Sequence, residues 1–465
     1  ITANFEPKFI LITEPALSYC TNQLRKKFPK AKLLAVRYTN LFSETDKNWD
    51  KLFYFSKEKS LENEIFNFLG EDGILSCLFL AWQASAKAFP QENQLAWDEI
   101  KKSVQKSSAI LNTKTYFSKR WIKNSINFYS RLKRTVSISK TDLPILIVAS
   151  GRSLQSSIEY IKKFRKSFFL IAVSSAIKVL ITNEIIPDLC LSTDGGYWAK
   201  KHLEILLRKS CKNIPLALTS EAACPAQILE ENPILPLTYS DFLENQFFSE
   251  LKINGKKVYR NGSVSGTAAL LAVELTNQNV YFCGLDMAEN KGFQHSMPNA
   301  LEEIDSKNDF AISPKYTRLV KSEFHSSSME IYRSWFSTQN EAFSSRIFRL
   351  SNDFKYSNNL GKIKDITWDF IKADFNKKEF EKKHTQNPKN PFKQNNEIER
   401  DEKKKIWGIL KKISTTEEWY KSCFPNDFLT YSRAMGDKEI LWKNLLKKND
   451  DFIKCLQKRL LNQEL

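Results

Sequence analysis

The sequence has few of the residues that build metal centres and disulfide frameworks. It contains only 4 His, without an H-E-x-x-H motif, and none of its 8 Cys belongs to a C-x-x-C pair. No Asp-x-Asp pair occurs either, so an obvious carboxylate chelate for a divalent cation is missing. These absences predict that the protein holds no metal and that its cysteines are core residues of a reduced compartment.

Long hydrophobic runs are also missing. The longest apolar stretch, ILSCLFLAW at 74–82, is far too short to cross a bilayer, and no cleavable signal pattern opens the chain. The mean hydropathy of −0.42 is typical of a soluble globular protein, and 465 residues suffice for two or three domains. We therefore expect a cytoplasmic protein without a membrane span.

Acidic residues are too few to balance the basic ones. The chain has 71 Lys and Arg against 53 Asp and Glu, a formal net charge of +18. A basic surface attracts nucleic acid. Here, however, the lysines are spread over predicted helices, and no RNA-binding aromatic motif or zinc finger accompanies them. The charge is better explained by solvated helix faces or an acidic partner, so we expect no nucleic-acid binding.

The most informative segment that is present is ILIVASGRSL at 145–154. Its apolar first half predicts a strand covered on both faces, and the periodic sequence after it predicts a helix. Ser150, Gly151 and Ser153 lie between the two, where small residues let backbone N–H groups and the positive end of a helix approach an anion. The segment is thus a candidate nucleotide-phosphate cradle, although any strand-to-helix turn favours small residues.

Further short apolar runs follow the cradle and alternate with helix-period stretches. This alternation predicts an α/β fold with a doubly wound, mostly parallel sheet of Rossmann-like type. The predicted strands cover 168–173, 188–192, 215–219 and 279–284, and the predicted helices cover 174–183, 197–209 and 264–276.

Small and acidic residues follow several of these predicted strands. In a doubly wound sheet, ligands bind outside the carboxyl ends of the strands, so these residues are candidate nucleotide contacts. Helix caps and turns favour the same residue types, and for Ser174, Asp194 and Asp286 this alternative stays open. The candidates that join the cradle are Ser174, Asp194, Gly262, Ser263 and Asp286.

Composition and pattern divide the chain into four parts. We predict a smaller N-terminal α/β domain at 1–110, a helical linker at 111–140, the nucleotide-binding domain at 141–360 and a C-terminal helical domain at 361–465. Within the first domain a helix is expected over 74–89. The turn after its first strand, Glu14 to Ser18, has no glycine. Because a backbone without glycine cannot easily approach a cofactor, we expect a structural or docking role there.

Residues 115–360 contain the segments WIKNSINFYSRL, IVASGRSL, LIAVSSAIKVLITNEIIPDLCLSTDGG, and NGSVSGTAALLAVEL leading to VYFCGLDMA. With these segments the chain resembles a known family, the motility accessory factor (Maf) glycosyltransferases that modify flagellin. The family's central domain is of the 6-hydroxymethylpterin pyrophosphokinase (MptE-like) type and is similar in fold to CMP-sialic acid transferases. The family's cradle usually has glycine and proline where this chain has Ala149 and Arg152, which weakens the expectation of catalytic activity.

The resemblance implies a glycosyltransferase that moves a nonulosonic (sialic-like) acid from a CMP-activated donor to Ser or Thr of flagellin. The donor would be its only cofactor-like ligand, and the route would be independent of metal. A base must deprotonate the acceptor hydroxyl, and histidine titrates in the right range. His325 resembles the catalytic histidine of CMP-sialic acid transferases, and His295 resembles the histidine that often follows the Gly-x-Asp motif. His325 is slightly favoured, with Lys315, Tyr316 and Arg318 as possible donor contacts.

His202 and His384 are expected on the surface of a helix or linker. Two other functions stay open. A pterin pyrophosphokinase would need ATP, Mg²⁺ and a carboxylate pair, for which only Asp194 and Asp286 are available. A non-catalytic flagellin-binding or assembly factor would account for the altered cradle.

Overall fold

A computed structural model of the chain describes residues 4–56, 58–288, 293–307, 309–312, 314, 328–355, 357–375, 391–395 and 402–462. The chain divides into two compact units, of which the first comprises residues 1–119 and 412–457 and the second residues 120–411 and 458–465. The predicted domain boundaries at 110, 140 and 360 stay predictions.

The first unit contains a parallel sheet of four strands. They are β1 (Phe9–Thr13), β2 (Lys32–Arg37), β3 (Lys51–Tyr54) and β4 (Cys77–Ala81), in the order β3-β2-β1-β4. The prediction of a helix over 74–89 is wrong at 77–81, because these residues form β4, which pairs in register with β1. A short apolar run such as CLFLA fits a buried strand as well as a helix, and only the pairing partner decides between them.

Helices surround this sheet. Those in the N-terminal part of the chain are α1 (Thr21–Lys27), α2 (Leu61–Leu75), α3 (Gln83–Ala88) and α4 (Pro90–Arg131). The middle strands β1 and β2 are apolar along their length because helices cover both faces of a parallel sheet, and Ile10, Leu11, Leu33 and Leu34 are fully buried.

The turn after β1 is held by a buried ion pair. Glu14, Ala16 and Ser18 adopt positive φ angles of 38°, 49° and 58°, which non-glycine residues rarely do. Arg37 on β2 donates to Glu14 at 2.9 Å and to the backbone oxygen of Ala16 at 2.8 Å, and both charged side chains are fully buried. Asp46 accepts a further bond from Arg37 at 2.9 Å. These bonds keep the turn in its strained conformation.

The second unit is built on a nine-stranded parallel sheet, which confirms the predicted doubly wound α/β fold. The sheet order is β11-β10-β9-β8-β7-β6-β12-β13-β14. Its strands are β6 (Ile145–Val148), β7 (Phe169–Val173), β8 (Leu189–Ser192), β9 (Leu216–Thr219), β10 (Ile234–Thr238), β11 (Lys256–Lys257), β12 (Val280–Cys283), β13 (Ile347–Leu350) and β14 (Lys364–Ile366). A separate antiparallel pair joins β5 (Val136–Ile138) to β15 (Phe392–Gln394).

Short helices lie between the strands of the large sheet along the chain, and one more follows its last strand. They are α5 (Ile158–Lys163), α6 (Ile177–Thr182), α7 (Tyr197–Leu203), α8 (Ala226–Glu231), α9 (Phe242–Glu250), α10 (Val264–Leu275), α11 (Ala300–Lys307), α12 (Ser328–Ser337), α13 (Glu341–Ser344) and α14 (Trp368–Phe375).

The C-terminal region is helical, as predicted. Its helices are α15 (Lys403–Ile413), α16 (Glu417–Cys423), α17 (Pro425–Arg433) and α18 (Lys438–Asn462). Two short strands, β14 and β15, also fall inside the predicted helical domain, because their three-residue runs are too short to show a period. None of the helices in the described ranges combines the length and hydrophobicity that a bilayer crossing requires.

Candidate functional site

The direction of the chain through the large sheet reverses between two central strands. From β6 the strands follow in sequence order through β11 on one side, whereas β12 pairs with the other side of β6. Such a switch point leaves a crevice at the carboxyl ends of the two strands, and ligands of open α/β sheets bind there. The predicted cradle after β6 and the Gly-Leu-Asp segment after β12 therefore meet at one place.

The turn after β6 packs closely against the loop after β12. The N–H of Ala149 donates to the carbonyl of Cys283 at 2.8 Å, and the N–H of Gly151 donates to the carbonyl of Gly284 at 2.8 Å. A Cβ atom on Gly151 would lie only 2.5 Å from that Gly284 oxygen. Position 151 thus has room only for glycine, because the neighbouring loop occupies the space beside it.

A carboxylate lies at the start of the 3₁₀ helix that follows this turn. The N–H of Ser153 donates to Oδ2 of Asp286 at 2.9 Å, and the Ser153 hydroxyl bonds the other carboxylate oxygen. Ser357 donates to Oδ1 at 3.1 Å, and Asp286 is only 5% exposed. The donors of Gly151 and Ser153 are thus engaged within the chain, and the nucleotide role predicted for these residues stays a prediction.

His295 and a buried glutamate form a dyad above the same turn. His295 pairs with Gly151 as an antiparallel β-bridge, and its Nδ1 lies 2.9 Å from Oε1 of Glu302. The same oxygen accepts the N–H groups of Gln294 and His295 at 2.9 and 3.0 Å. The Glu302 side chain is fully buried, whereas a quarter of the His295 side chain is exposed. A fixed carboxylate on Nδ1 sets the ring orientation and leaves Nε2 to accept a proton.

His202 lies beside this dyad, which corrects the expectation that it is a surface residue. It is only 7% exposed on α7, and its ring centroid is 6.4 Å from that of His295. Burial, with smaller effects of His295 and Lys178, lowers the pKa of His202 to about 4. No hydrogen bond reaches its Nδ1 from any residue that the structure describes. His202 is therefore neutral near pH 7.

Serine side chains continue the crevice towards β7. The hydroxyls of Ser150 and Ser175 lie 2.8 Å apart, and β6 pairs with β7 so that Ser150 and Ser174 follow the two strands at the same level. Ser174 is 4% exposed. Asn299, at the start of α11, donates to the Ser175 carbonyl at 3.0 Å. The turn after β7 is thereby tied to the helix that carries Glu302.

A second group of predicted residues lies after β8 and before α10. Asp194 is exposed and accepts the N–H of Gly196 at 2.8 Å, which is an Asx turn. Ser263 caps α10 by accepting the N–H of Gly266 at 3.0 Å. Gly262 has a φ of +85°, and a Cβ there would lie 3.4 Å from the ring of Tyr332. Burial and, to a smaller degree, the charge of Asp194 raise the pKa of Tyr332, so Tyr332 lies near Asp194.

Comparison with known proteins supports the resemblance for the centre of the chain. Residues 119–292 match the family described as 6-hydroxymethylpterin diphosphokinase MptE-like. The chain contains an MptE-like domain. A protein of Treponema pallidum (strain Nichols), described only as uncharacterized, is 28% identical over 327 residues, which is 70% of each chain.

The fold extends beyond the MptE-like domain. The solved MAf glycosyltransferase of Magnetospirillum magneticum AMB-1 superposes with a TM-score of 0.59 over 98% of this chain and 79% of that protein, at 12% sequence identity. This chain therefore has a glycosyltransferase-like fold, and the predicted similarity to an MptE-like domain in its centre and to a Maf protein in fold is confirmed.

Some predicted site residues lie outside the described residues, among them His325 and its neighbours Lys315, Tyr316 and Arg318, as well as His384. The structure places His295 beside Gly151 of the turn after β6, together with Glu302 and His202. Sequence reasoning missed these two residues because neither lies in a motif. The spacing of His295 and Glu302 across a turn offered no periodic signal.

Metal ligands do not cluster in the described part of the chain: no group of three His, Cys, Asp or Glu side chains there could hold a metal ion. Asp194 and Asp286 follow strands β8 and β12, which are separated by β7 and β6. Adjacent strands lie about 4.8 Å apart, so three steps separate these strands by roughly 14 Å.

Proposed function

We propose that this protein is a glycosyltransferase that moves a nonulosonic acid from a CMP-activated donor to a Ser or Thr hydroxyl of flagellin. The observation that supports it best is the His295–Glu302 dyad at the switch point of a glycosyltransferase-like fold. The donor and the acceptor come from the family resemblance, and they enter the proposal on that ground.

The dyad supplies the base that the reaction needs. Nε2 of His295 takes the proton of the acceptor hydroxyl while the hydroxyl oxygen forms a bond to the anomeric carbon of the donor sugar. The bond between that carbon and the CMP phosphate oxygen breaks, and CMP leaves with the electron pair. The Glu302 carboxylate on Nδ1 stabilises the imidazolium that results. In this proposal N–H and hydroxyl donors meet the charge of the leaving phosphate.

In this proposal the nucleotide lies along the carboxyl ends of β7 and β8 and at the start of α10. Ser174, Asp194, Gly262 and Ser263 line this stretch, and the exposed Asp194 carboxylate suits the hydroxyls of a ribose. The stretch spans roughly 10 Å of sheet edge between β6 and β8. The sugar would then reach His295 from the β8 side.

Two measurements test the proposal. The first is a thermal-shift screen of CMP, CDP, UDP, GDP and ATP with and without Mg²⁺, since a ligand that binds only the folded state raises Tm. We expect CMP and CDP to raise Tm. A shift with ATP and Mg²⁺ but none with cytidine nucleotides would favour a pyrophosphokinase instead, the activity after which the matching family is described.

The second measurement is flagellin modification followed by intact mass. His295→Ala should retain CMP binding and lose transfer by roughly a hundredfold or more, the usual scale for a positioned base. His325→Ala is measured beside it, because it is the other candidate base. Loss in His325→Ala alone would move the base there. Equal modification by both variants and wild type would contradict a histidine base and favour a flagellin-binding or assembly factor.

A further inference from the structure

We propose that Asp286 is a positioning residue for His295, and that it acts through the turn after β6 rather than by contact with the nucleotide. The inference rests on the proposed function, because it assigns His295 a role in transfer. It is based on a three-layer arrangement, in which the turn 150–153 lies between the Asp286 carboxylate on one side and the His295 loop on the other.

The lower layer is the Asp286 carboxylate. It accepts the backbone N–H of Ser153 at 2.9 Å and also bonds the Ser153 hydroxyl, so one residue of the turn is held twice. Ser357 donates to the same carboxylate at 3.1 Å, and the N–H of Asn358 donates to the Asp286 carbonyl at 2.9 Å. Asp286 is thereby fixed from both its side chain and its backbone.

The upper layer is the loop that carries His295. The N–H of Ser296 donates to the Ser150 carbonyl at 2.7 Å, and the Ser296 hydroxyl donates to the Gly151 carbonyl at 2.7 Å. His295 itself bridges to Gly151. The turn therefore uses its carbonyl groups to hold the His295 loop and its N–H groups to hold β12 and Asp286.

The turn cannot absorb a change on one side without moving on the other. A Cβ on Gly151 would lie 2.6 Å from Oδ2 of Asp286, and a Cβ on Gly284, whose φ is +71°, would lie 2.2 Å from the Ala149 carbonyl. Such close backbone contacts leave no free space into which the turn could move. Loss of the carboxylate contacts at Ser153 should therefore displace Ser150 and Gly151, and with them the base.

The same contacts argue against a nucleotide phosphate at this position. A phosphate at the start of the 3₁₀ helix Arg152–Ser157 would need the N–H of Ser153, which Asp286 already accepts. It would also approach a buried carboxylate of like charge, which is unfavourable. The Asp286 carboxylate thus occupies the position from which an anionic ligand would accept the N–H of Ser153.

The test compares Asp286→Asn with Asp194→Asn, an exposed residue that we place at the nucleotide. For Asp286→Asn we expect CMP affinity within about twofold of wild type and a fall of about tenfold or more in kcat for flagellin modification, because a small displacement of a catalytic group costs this much. Hydrogen exchange of the peptide containing Ser296 should accelerate. For Asp194→Asn we expect weaker CMP binding without faster exchange at Ser296.

Weaker CMP binding by Asp286→Asn with unchanged kcat would overturn the inference and make Asp286 a nucleotide ligand. Unchanged exchange at Ser296 would overturn it as well. If Asp286→Asn does not fold, Ser357→Ala removes one contact of the same carboxylate, and the same split between kcat and CMP affinity decides. If wild type neither binds CMP nor modifies flagellin, the proposed function fails, whereas the exchange rates still decide whether Asp286 holds the His295 loop.

Discussion

The turns after β1 and β6 occupy the same topological place in their two sheets, yet only one of them adjoins a candidate active site. Each follows a strand beside a reversal of strand order, and each surrounds a buried carboxylate, Glu14 in the first and Asp286 in the second. Glu14 is paired with the guanidinium of Arg37 and also accepts the backbone N–H of Tyr38. The Asp286 carboxylate accepts backbone N–H and hydroxyl groups, and an imidazole dyad lies beyond the turn.

The difference shows that topology locates a crevice but does not make it a site. In the first sheet the carboxylate is paired with a buried arginine that also bonds Asp46 and the turn backbone, so the turn is a structural element. In the second sheet neutral N–H and hydroxyl groups donate to the Asp286 carboxylate, and His295 lies on the other side of the turn. Function thus depends on the side chains at the strand ends and not on the fold alone.

Removal of the arginine at the first turn should have the largest effect on stability. Arg37→Met leaves the buried Glu14 without its cation, and we expect a loss of about 3–5 kcal/mol in the free energy of unfolding. Urea denaturation measures it. The control is Arg25→Met, which breaks an exposed pair with Asp50 and should cost less than about 1 kcal/mol. Similar losses in both variants would show that Glu14 does not depend on Arg37.

A pH-dependent effect is expected at the second site. The pKa of His202 is about 4 in the folded chain and about 6.5 when unfolded, so the unfolded state binds the proton more tightly. Stability should therefore fall as pH decreases from about 6.5 to 4, by at most roughly 3 kcal/mol from this residue. His202→Phe removes this titrating group, so the stability of the variant should decline less over this range. Parallel pH profiles for wild type and variant would contradict a buried neutral His202.

A smaller loss is expected from the tight packing at the second turn. Gly151→Ala places a Cβ against the Gly284 carbonyl and Asp286, and we expect a cost of about 1–3 kcal/mol from overpacking. Gly408→Ala is the matched control. It lies inside α15 with no atom within 4 Å of the added carbon, so it should stabilise the helix by about 0.5–1 kcal/mol. A neutral Gly151→Ala would show that the turn can relax.

The smallest effect is expected from metal removal. If the second crevice binds CMP through N–H and hydroxyl donors, EDTA should leave the CMP-induced rise in Tm unchanged. The same titration with added Mg²⁺ serves as the comparison. A CMP shift that disappears in EDTA would require a cation between the nucleotide and the protein.

Five of the nine strands of the large sheet, β6, β7, β8, β9 and β12, were predicted because their residues are buried on both faces, whereas β10 and β13 were not predicted. Runs such as ILIV at 145–148 need no partner to be recognised as apolar, and the helices between them show a period of 3.6 residues. β4 was assigned to a helix because a five-residue apolar run carries no period of its own. The edge strands β11 and β14 were not predicted from the sequence, because two or three residues are too few to show a pattern.

The candidate site was predictable only in part. Gly151 and Asp286 were found because they follow apolar strands, and β6 and β12 place them in contact. Glu302 and His202 were not found, since a buried glutamate on a helix and a histidine on another look like surface residues in sequence. Their burial depends on which helices pack at the end of the sheet.

The sequence by itself determined the alternation of strands and helices, and with it the parallel sheet and the edge where a ligand would bind, because hydrophobic periodicity is a local property. Tertiary structure alone decided the partners of the polar groups. Glu14 meets Arg37, Asp286 meets Ser153, and His295 meets Glu302 and His202 through contacts between elements distant along the chain or across a turn. Burial and charge pairing arise only when the elements pack, and so the chemistry of the site is a property of the fold.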